Sequence, residues 1–192
     1  MYHCAECQVK NCTKEIGKEG EFPKNCPSVL PEMEEILKKY GADELDYRLA
    51  RESSILGPNH DEGRVEKTIR FAKACGFHKI GLGFCITLRK EAAQLTKLLR
   101  EEGFEVESLI CKVGHVDRSL LEIDSCKAMC NPIAQAVLLN EAHTDMNIML
   151  GLCVGHDSLF FRWSEAPVVA LCAKDHVYDH APMEYLKEKF GE

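Results

Sequence analysis

The sequence predicts an α/β fold, a doubly wound and mostly parallel sheet of about four to five strands, behind an N-terminal cysteine-rich metal-binding head. Three observations support this class. Short apolar runs alternate with helical patterns in the second half of the chain, and turn residues close these runs. The runs are continuously apolar, as in parallel strands that helices cover on both faces. A segment rich in cysteine, with little hydrophobic periodicity, precedes them.

The elements follow from helix and strand signals along the chain. Pro31 opens a helix that Gly41 closes, and a second helix follows from Asp43. Beyond a break at 57–63, the order is a helix within 62–77, a strand at 79–85, a helix at about 88–102, a strand at 105–113, a helix opened by Asn131, strands at 147–155 and 166–173, and a helix at 183–190. We therefore expect a head over 1–30 and an α/β domain with a helical lead-in over 31–192.

Composition limits the cellular setting. With 192 residues and 45% hydrophobic side chains, the chain has enough apolar material for a core. It has no apolar run of about 18 residues and no signal-peptide pattern at its start, so we expect a cytoplasmic protein with no membrane partner. The net charge of -7 disfavours a nucleic-acid partner. Because its 11 cysteines are many for a reducing compartment, metal binding is the leading interpretation.

The first cysteine group lies in the head. Cys4, Cys7, Cys12 and Cys26 have the spacing C-x2-C-x4-C-x13-C, in a segment that cannot build a core by itself. Four thiolates can complete a tetrahedral shell around zinc, although the Cys-Pro pair at Cys26 also occurs at the last ligand of iron-sulfur runs. We favour zinc, because the C-x2-C-x2-C spacing of those runs is absent. His3 could replace one thiolate.

The second cysteine group is spread over the predicted α/β domain. Cys85, Cys111 and Cys153 come at or near strand ends, and Cys130 precedes a helix start. Because the carboxyl ends of parallel strands share one edge, these four thiols are expected to converge where the strand order reverses. Thiolates from scattered loops in apolar surroundings favour an iron-sulfur cluster, with zinc as an alternative.

Other cysteines have different predicted places. Cys126 lies in a loop four residues before Cys130 and could substitute for Cys111. Cys75 and Cys172 are expected to be core residues, since cysteine often packs as a small hydrophobe.

Polar residues follow the same strand ends. Lys112 comes directly after Cys111, and His156 and Asp157 follow Cys153. If only three cysteines hold the cluster, one iron stays open, and one of these three polar side chains could bind or protonate a small-molecule substrate there. These residues are therefore the candidate catalytic group, with ordinary solvated loop residues as the alternative.

Several motifs together resemble a known family. They are "IGLGFCITLRKEA", "CKVG", "CNPIAQAVLLNEAHTDMNIMLGLCVGHDSLF" and "SEAPVVALCAKDHV", behind the cysteine-rich head. This combination resembles a prokaryotic domain-of-unknown-function family known only as predicted metal-binding proteins. The resemblance covers nearly the whole chain and implies metal binding, without an established reaction. His176 stands where that family leads us to expect a basic residue.

Three functional hypotheses remain open at this point. The first is an enzyme that uses an open iron as a Lewis acid on a small molecule. The second is a non-catalytic electron carrier or metal sensor, with four cysteines closing the cluster and a redox partner. The third has zinc in the head alone, with the α/β domain as a ligand-binding or scaffold module.

Overall fold

The computed structural model describes residues 2–58 and 60–191 and confirms the α/β class. The chain divides into two compact units, Met1–Ile55 and Leu56–Glu192. The cysteine-rich segment 1–30 lies in the first unit, and the whole sheet lies in the second.

The first unit is poor in regular structure. Its helices are α1 (Met33–Lys38) and α2 (Glu44–Leu56), whose last residue already belongs to the second unit. Before α1, the described residues form only single turns of 3-10 helix. Asn11 is the one buried residue among those described in this unit, and its Nδ2 donates to the carbonyl of Glu21 at 2.6 Å. The described head therefore has no apolar core of its own.

The second unit contains a four-stranded, fully parallel sheet with the strand order β2-β1-β3-β4. The strands are β1 (Lys79–Phe84), β2 (Glu105–Ile110), β3 (Met146–Leu150) and β4 (Val168–Cys172). The helices are α3 (Arg64–Ala74), α4 (Arg89–Glu101), α5 (Pro132–Glu141), α6 (His156–Trp163) and α7 (Met183–Phe190). All four predicted strands are present. No helix was predicted from the sequence for the segment that forms α6.

Two glycines let other elements approach β1 closely. A Cβ at Gly83 would lie 2.6 Å from Cε2 of Phe160 on α6, and one at Gly81 would lie 2.0 Å from Oδ1 of Asn147 on β3. Phe160 is fully buried against this bare stretch of strand. The absence of a side chain at Gly83 thus fixes how closely α6 packs on the sheet.

The topology determines where a site can form. From β1 the chain crosses to β2 on one side, and it later returns to β3 on the other side, so the strand order reverses between β1 and β3. Right-handed crossovers place α4 on one face of the sheet and α5 on the opposite face, where α5 packs against α6. The carboxyl ends of β1 and β3 therefore border a crevice of the kind that binds ligands in doubly wound folds. None of the described helices is both long and apolar enough to cross a membrane.

Candidate functional site

Two of the predicted cysteines directly follow neighbouring strands. Cys85 comes after β1 and its backbone N–H donates to the carbonyl of Leu150 at 3.2 Å, while the N–H of Cys111, after β2, donates to the carbonyl of Phe84 at 2.9 Å. Strand pairing thus continues through both cysteines. Their exposed fractions are 2% and 3%, which places both thiols inside the carboxyl edge of the sheet.

Cys130 is held next to Cys111 by the backbone. The N–H of Asn131 donates to the carbonyl of Cys111 at 2.8 Å, which ties the start of α5 to the end of β2. As predicted, Asn131 caps α5: its Oδ1 accepts from the N–H of Ala134 at 3.1 Å, and Pro132 is the first helical residue. The Cys130 thiol is half-buried, and it lies close enough to the thiol of Cys111 to interact with it electrostatically.

Cys153 reaches the same edge through a tight turn after β3. Gly151 has a φ of +63°, and a Cβ there would lie 2.2 Å from Cδ1 of Leu88. The turn needs glycine for both reasons. It leads into α6, where the carbonyl of Cys153 accepts from the N–H groups of His156 at 2.9 Å and Asp157 at 3.1 Å. The thiol of Cys153 is half-buried.

Lys174, which was not among the predicted site residues, lies between the thiols of Cys85 and Cys153 along the sheet edge. Nζ of Lys174, two residues after β4, lies 2.9 Å from Sγ of Cys85 and is close enough to Cys153 to interact with that thiol electrostatically. Oγ1 of Thr87 lies 3.3 Å from the same Cys85 sulfur. The structure therefore places Cys111 near both Cys85 and Cys130, whereas Cys153 is linked to Cys85 only through Lys174.

The pKa values of the Cys85 and Cys111 thiols are shifted in opposite directions. Burial by itself raises the pKa of Cys85, but the hydrogen bonds from Lys174 and Thr87 outweigh it and hold that pKa below the ordinary value. Burial, together with the neighbouring Cys130 and Cys85, raises the pKa of Cys111 to about 11, against the N–H of Ile86, which donates to its sulfur at 3.4 Å. Cys85 is therefore the more readily ionised of these two thiols.

The buried side-chain amide of Gln135 hydrogen-bonds the ends of β1 and β2. Nε2 of Gln135, on the first turn of α5, donates to the carbonyls of Leu109 at 2.7 Å and Phe84 at 3.2 Å. The side chain is fully buried, and its Oε1 has no hydrogen-bond partner among the described residues. Gln135 therefore fixes the end of β1 one residue before Cys85, and the end of β2 two residues before Cys111.

The three candidate catalytic residues also lie at this edge. Nζ of Lys112 donates to the carbonyl of Ala128 at 2.8 Å. Burial lowers the pKa of His156, and the charge of Lys112 lowers it further, so its imidazole is neutral near pH 7. Oδ1 of Asp157 accepts from the N–H of Ser158 at 2.7 Å within the first turn of α6. His156 is the member of this group with a half-buried, neutral acid-base side chain.

The remaining cysteines of this unit differ in burial. Cys75 is fully buried and Cys126 is exposed. Cys172 ends β4, where it is partly buried, and that burial raises its pKa.

In the first unit, three of the four head cysteines surround one cavity. Cys4, Cys7 and Cys26 line a cavity of about 580 Å³ together with His3, whereas Cys12 is not among its lining residues. The backbone N–H groups of Lys10 and Val9 point at the sulfur of Cys7 and lower its pKa. Such donors stabilise a thiolate, the form that binds metals.

Among residues 2–58 and 60–191, no group of three or more His, Cys, Asp or Glu side chains is arranged so that it could hold a metal ion. What the structure provides is two separate sets of cysteines, one around the head cavity and one at the sheet edge.

Comparison with known proteins places the chain in a family. The family described as "Protein of unknown function (DUF1847)" matches residues 26–171. The chain belongs to the DUF1847 family. It is also 36% identical over 184 residues to the uncharacterized protein MJ0455 of Methanocaldococcus jannaschii, with 92% of this chain and 89% of that protein covered. No solved structure matches. The resemblance to a family of unknown function is thereby confirmed.

Two residues that shape the site of this DUF1847 member, Lys174 and Gln135, were not predicted as site residues from the sequence. Lys174 follows a strand end, and the rule that selected Cys85 and Cys111 applies to it equally. Gln135 gave no such signal, because a single amide in an apolar helix does not reveal which carbonyls it reaches.

Proposed function

We propose that the protein binds an iron-sulfur cluster at the carboxyl edge of the sheet through Cys85, Cys111, Cys130 and Cys153. The observation that supports this proposal is the position of the four cysteines at one edge, where Lys174 lies near Cys85 and Cys153, and Cys111 lies near Cys85 and Cys130. Any one of these cysteines alone would be an ordinary core residue. A shared, shielded location for four sulfur ligands is what a cluster requires.

The charges at the edge suit such a site. Thiolates bound to a metal bring negative charge into a partly buried region, where it needs compensation. The ammonium of Lys174 contacts Cys85 directly, and Lys112 is close enough to lower the pKa of His156. Positive charge at the edge would therefore help to balance an anionic centre there.

Two functions fit such a centre, and they differ in ligand number. A cluster held by four cysteines supplies electron transfer, as in a carrier or redox sensor, whereas one held by three would add Lewis acidity at an open iron. Cys111 is the ligand that separates these cases, because deprotonating a thiol with a pKa of about 11 is costly. Neutral His156 would then serve as the proton acceptor or donor beside the site.

For the head we propose a zinc ion bound by Cys4, Cys7 and Cys26. Their shared cavity and the two backbone donors to Cys7 support this assignment. The fourth ligand is Cys12 or His3. Zinc suits a small segment without an apolar core, since metal binding can supply the free energy of its folding.

The Lys174–Cys85 pair favours a second candidate function for the sheet edge. A thiolate stabilised by an adjacent ammonium is a nucleophile that needs no metal. Cys85 would then displace a leaving group from an electrophilic carbon of a small substrate. The S–C bond forms as the bond from that carbon to the leaving group breaks, and the leaving group departs with the electron pair.

The test is the composition of full-length protein prepared without oxygen. Iron and acid-labile sulfide in comparable amounts, with visible charge-transfer absorption, are expected for the cluster proposal. Protein that contains neither, even after anaerobic reconstitution with iron and sulfide, would leave the nucleophile as the function that the edge supports.

A further inference from the structure

A second cavity adjoins the cysteine edge on the side of Cys130. It has a volume of about 320 Å³, near the lower end of the range for small-molecule sites. Cys130 and His156 form part of its lining, so the cavity opens directly beside the site described above.

The walls of this cavity are mainly apolar. Leu121, Ile123, Ile133 and Leu159 contribute to the lining. Leu121 is 57% exposed and Ile123 is 46% exposed, so apolar surface is available to a ligand that enters between them. Burying that surface would favour binding of an apolar group.

The charged part of the lining is cationic. Arg118 is a half-buried lining residue, and it forms no ion pair with any carboxylate in the described part of the chain. The neighbouring Asp117 accepts instead from the N–H of Ser119 at 2.7 Å. The cavity lining contains no Asp or Glu. A guanidinium without a partner beside an apolar wall matches a carboxylate that carries an apolar body.

We propose that this cavity binds a small organic carboxylate, with its anionic group on Arg118, its apolar body against Leu121 and Ile133, and one end beside Cys130. The inference deepens the proposed function, because it rests on that function for the chemistry at Cys130 and names the substrate class for it. Binding itself requires only the cavity, so it can be measured whether or not a cluster is present.

The first experiment compares two probes that differ in charge alone, phenylacetate and phenylacetamide, on the full-length protein by NMR titration. Ligands of this size are expected to bind with a Kd on the order of 1 mM. Phenylacetate should bind about tenfold more tightly than the amide, because only it forms a charge-assisted pair with Arg118. Arg118→Gln should remove this preference, whereas the matched control Arg162→Gln, which changes an exposed arginine outside the cavity, should keep it.

A second variant fills the space without touching the charge. Ile133→Phe should weaken both probes by about tenfold or more, while the protein still unfolds cooperatively. Unchanged binding of both probes to this variant would place them elsewhere and overturn the proposal, as would equal affinity of wild type for the two probes.

Alkylation gives a readout at the level of a single residue. In metal-free full-length protein, saturating phenylacetate should slow the reaction of Cys130 with iodoacetamide and leave the exposed Cys126 unaffected. Equal rates at Cys130 with and without phenylacetate would contradict binding in this cavity. Protein that lacks iron but shows this protection would refute the cluster alone, and protein that holds a cluster but binds neither probe would refute the cavity site alone.

Discussion

Nζ of Lys174 lies 2.9 Å from Sγ of Cys85 and joins the carboxyl ends of β4 and β1, two strands that are not neighbours in the sheet. The lysine reaches across the end of β3, where it also interacts electrostatically with Cys153. It is therefore the residue that connects the thiols on both sides of the point where the strand order reverses.

Replacing Lys174 by Met should raise the pKa of Cys85. The thiol stays buried in the variant, and without the ammonium that burial is no longer outweighed. In metal-free protein, the thiolate fraction of Cys85 at about pH 7 should fall, and the midpoint of its titration should move to higher pH. The measurement is the ultraviolet absorbance of thiolate against pH, with the Cys85→Ser protein subtracted.

Lys90→Met is the matched control, since Lys90 is exposed on α4. Its titration should overlay that of wild type. A midpoint in the Lys174 variant equal to or below the wild-type value would show that the ammonium does not stabilise the thiolate.

Replacing Gln135 by Leu should destabilise the second unit by about 1–3 kcal/mol, because the carbonyl of Leu109 loses its 2.7 Å donor in a buried place. Gln94→Leu, the same change at an exposed position of α4, is the control and should cost less than about 0.5 kcal/mol. Urea unfolding followed by circular dichroism measures both. Equal midpoints for the two variants would mean that Gln135 does not hold the strand ends.

Substitutions in the head can identify the fourth zinc ligand. We expect Cys4→Ser, Cys7→Ser and Cys26→Ser each to lose zinc and to make residues 1–30 sensitive to protease, because the segment has no apolar core. Of Cys12→Ser and His3→Ala, one should lose zinc to the same degree and the other should retain it. Zinc retained in the Cys7 variant, or unchanged protease resistance after chelation, would exclude a structural zinc at this place.

Much of the fold could be predicted from the sequence, because parallel strands carry continuous apolar runs and α5 carries an explicit start signal in Asn131 and Pro132. The segment of α6 could not, since it begins with Gly155 and polar residues that also suit a loop. Its packing depends on Gly83, which lies 77 residues before Phe160 in sequence. Such a long-range fit leaves no local pattern.

The candidate site was predictable for the same topological reason. Cys85, Cys111 and Cys153 stand at or just past strand ends, and strand ends of a parallel sheet meet at one edge. The sequence alone could not predict which of the thiols has the lower pKa. The pKa values of Cys85 and Cys111 diverge because one sulfur meets the ammonium of Lys174 and the other does not, a difference set entirely by tertiary contacts.

Cys75→Ala should lower the free energy of unfolding by about 1 kcal/mol, because this small side chain is fully buried and the variant loses its packing. It should leave the metal content unchanged, since Cys75 ends α3 rather than a strand at the carboxyl edge. Chemical unfolding and metal analysis of the same sample check both expectations. A Cys75→Ala protein that loses iron would extend the site beyond the four proposed ligands.

The most direct test is the iron and sulfide content of full-length protein prepared without oxygen, for wild type and for Cys85→Ala, Cys130→Ala, Cys153→Ala and Cys111→Ala, with Cys75→Ala and Cys126→Ala as controls. We expect iron in wild type and both controls, and its loss from the Cys85, Cys130 and Cys153 variants. Loss from Cys111→Ala as well indicates four ligands, and retention there indicates three. Wild type without iron, or iron retained in all of the Cys85, Cys130 and Cys153 variants, would contradict a cluster at the sheet edge.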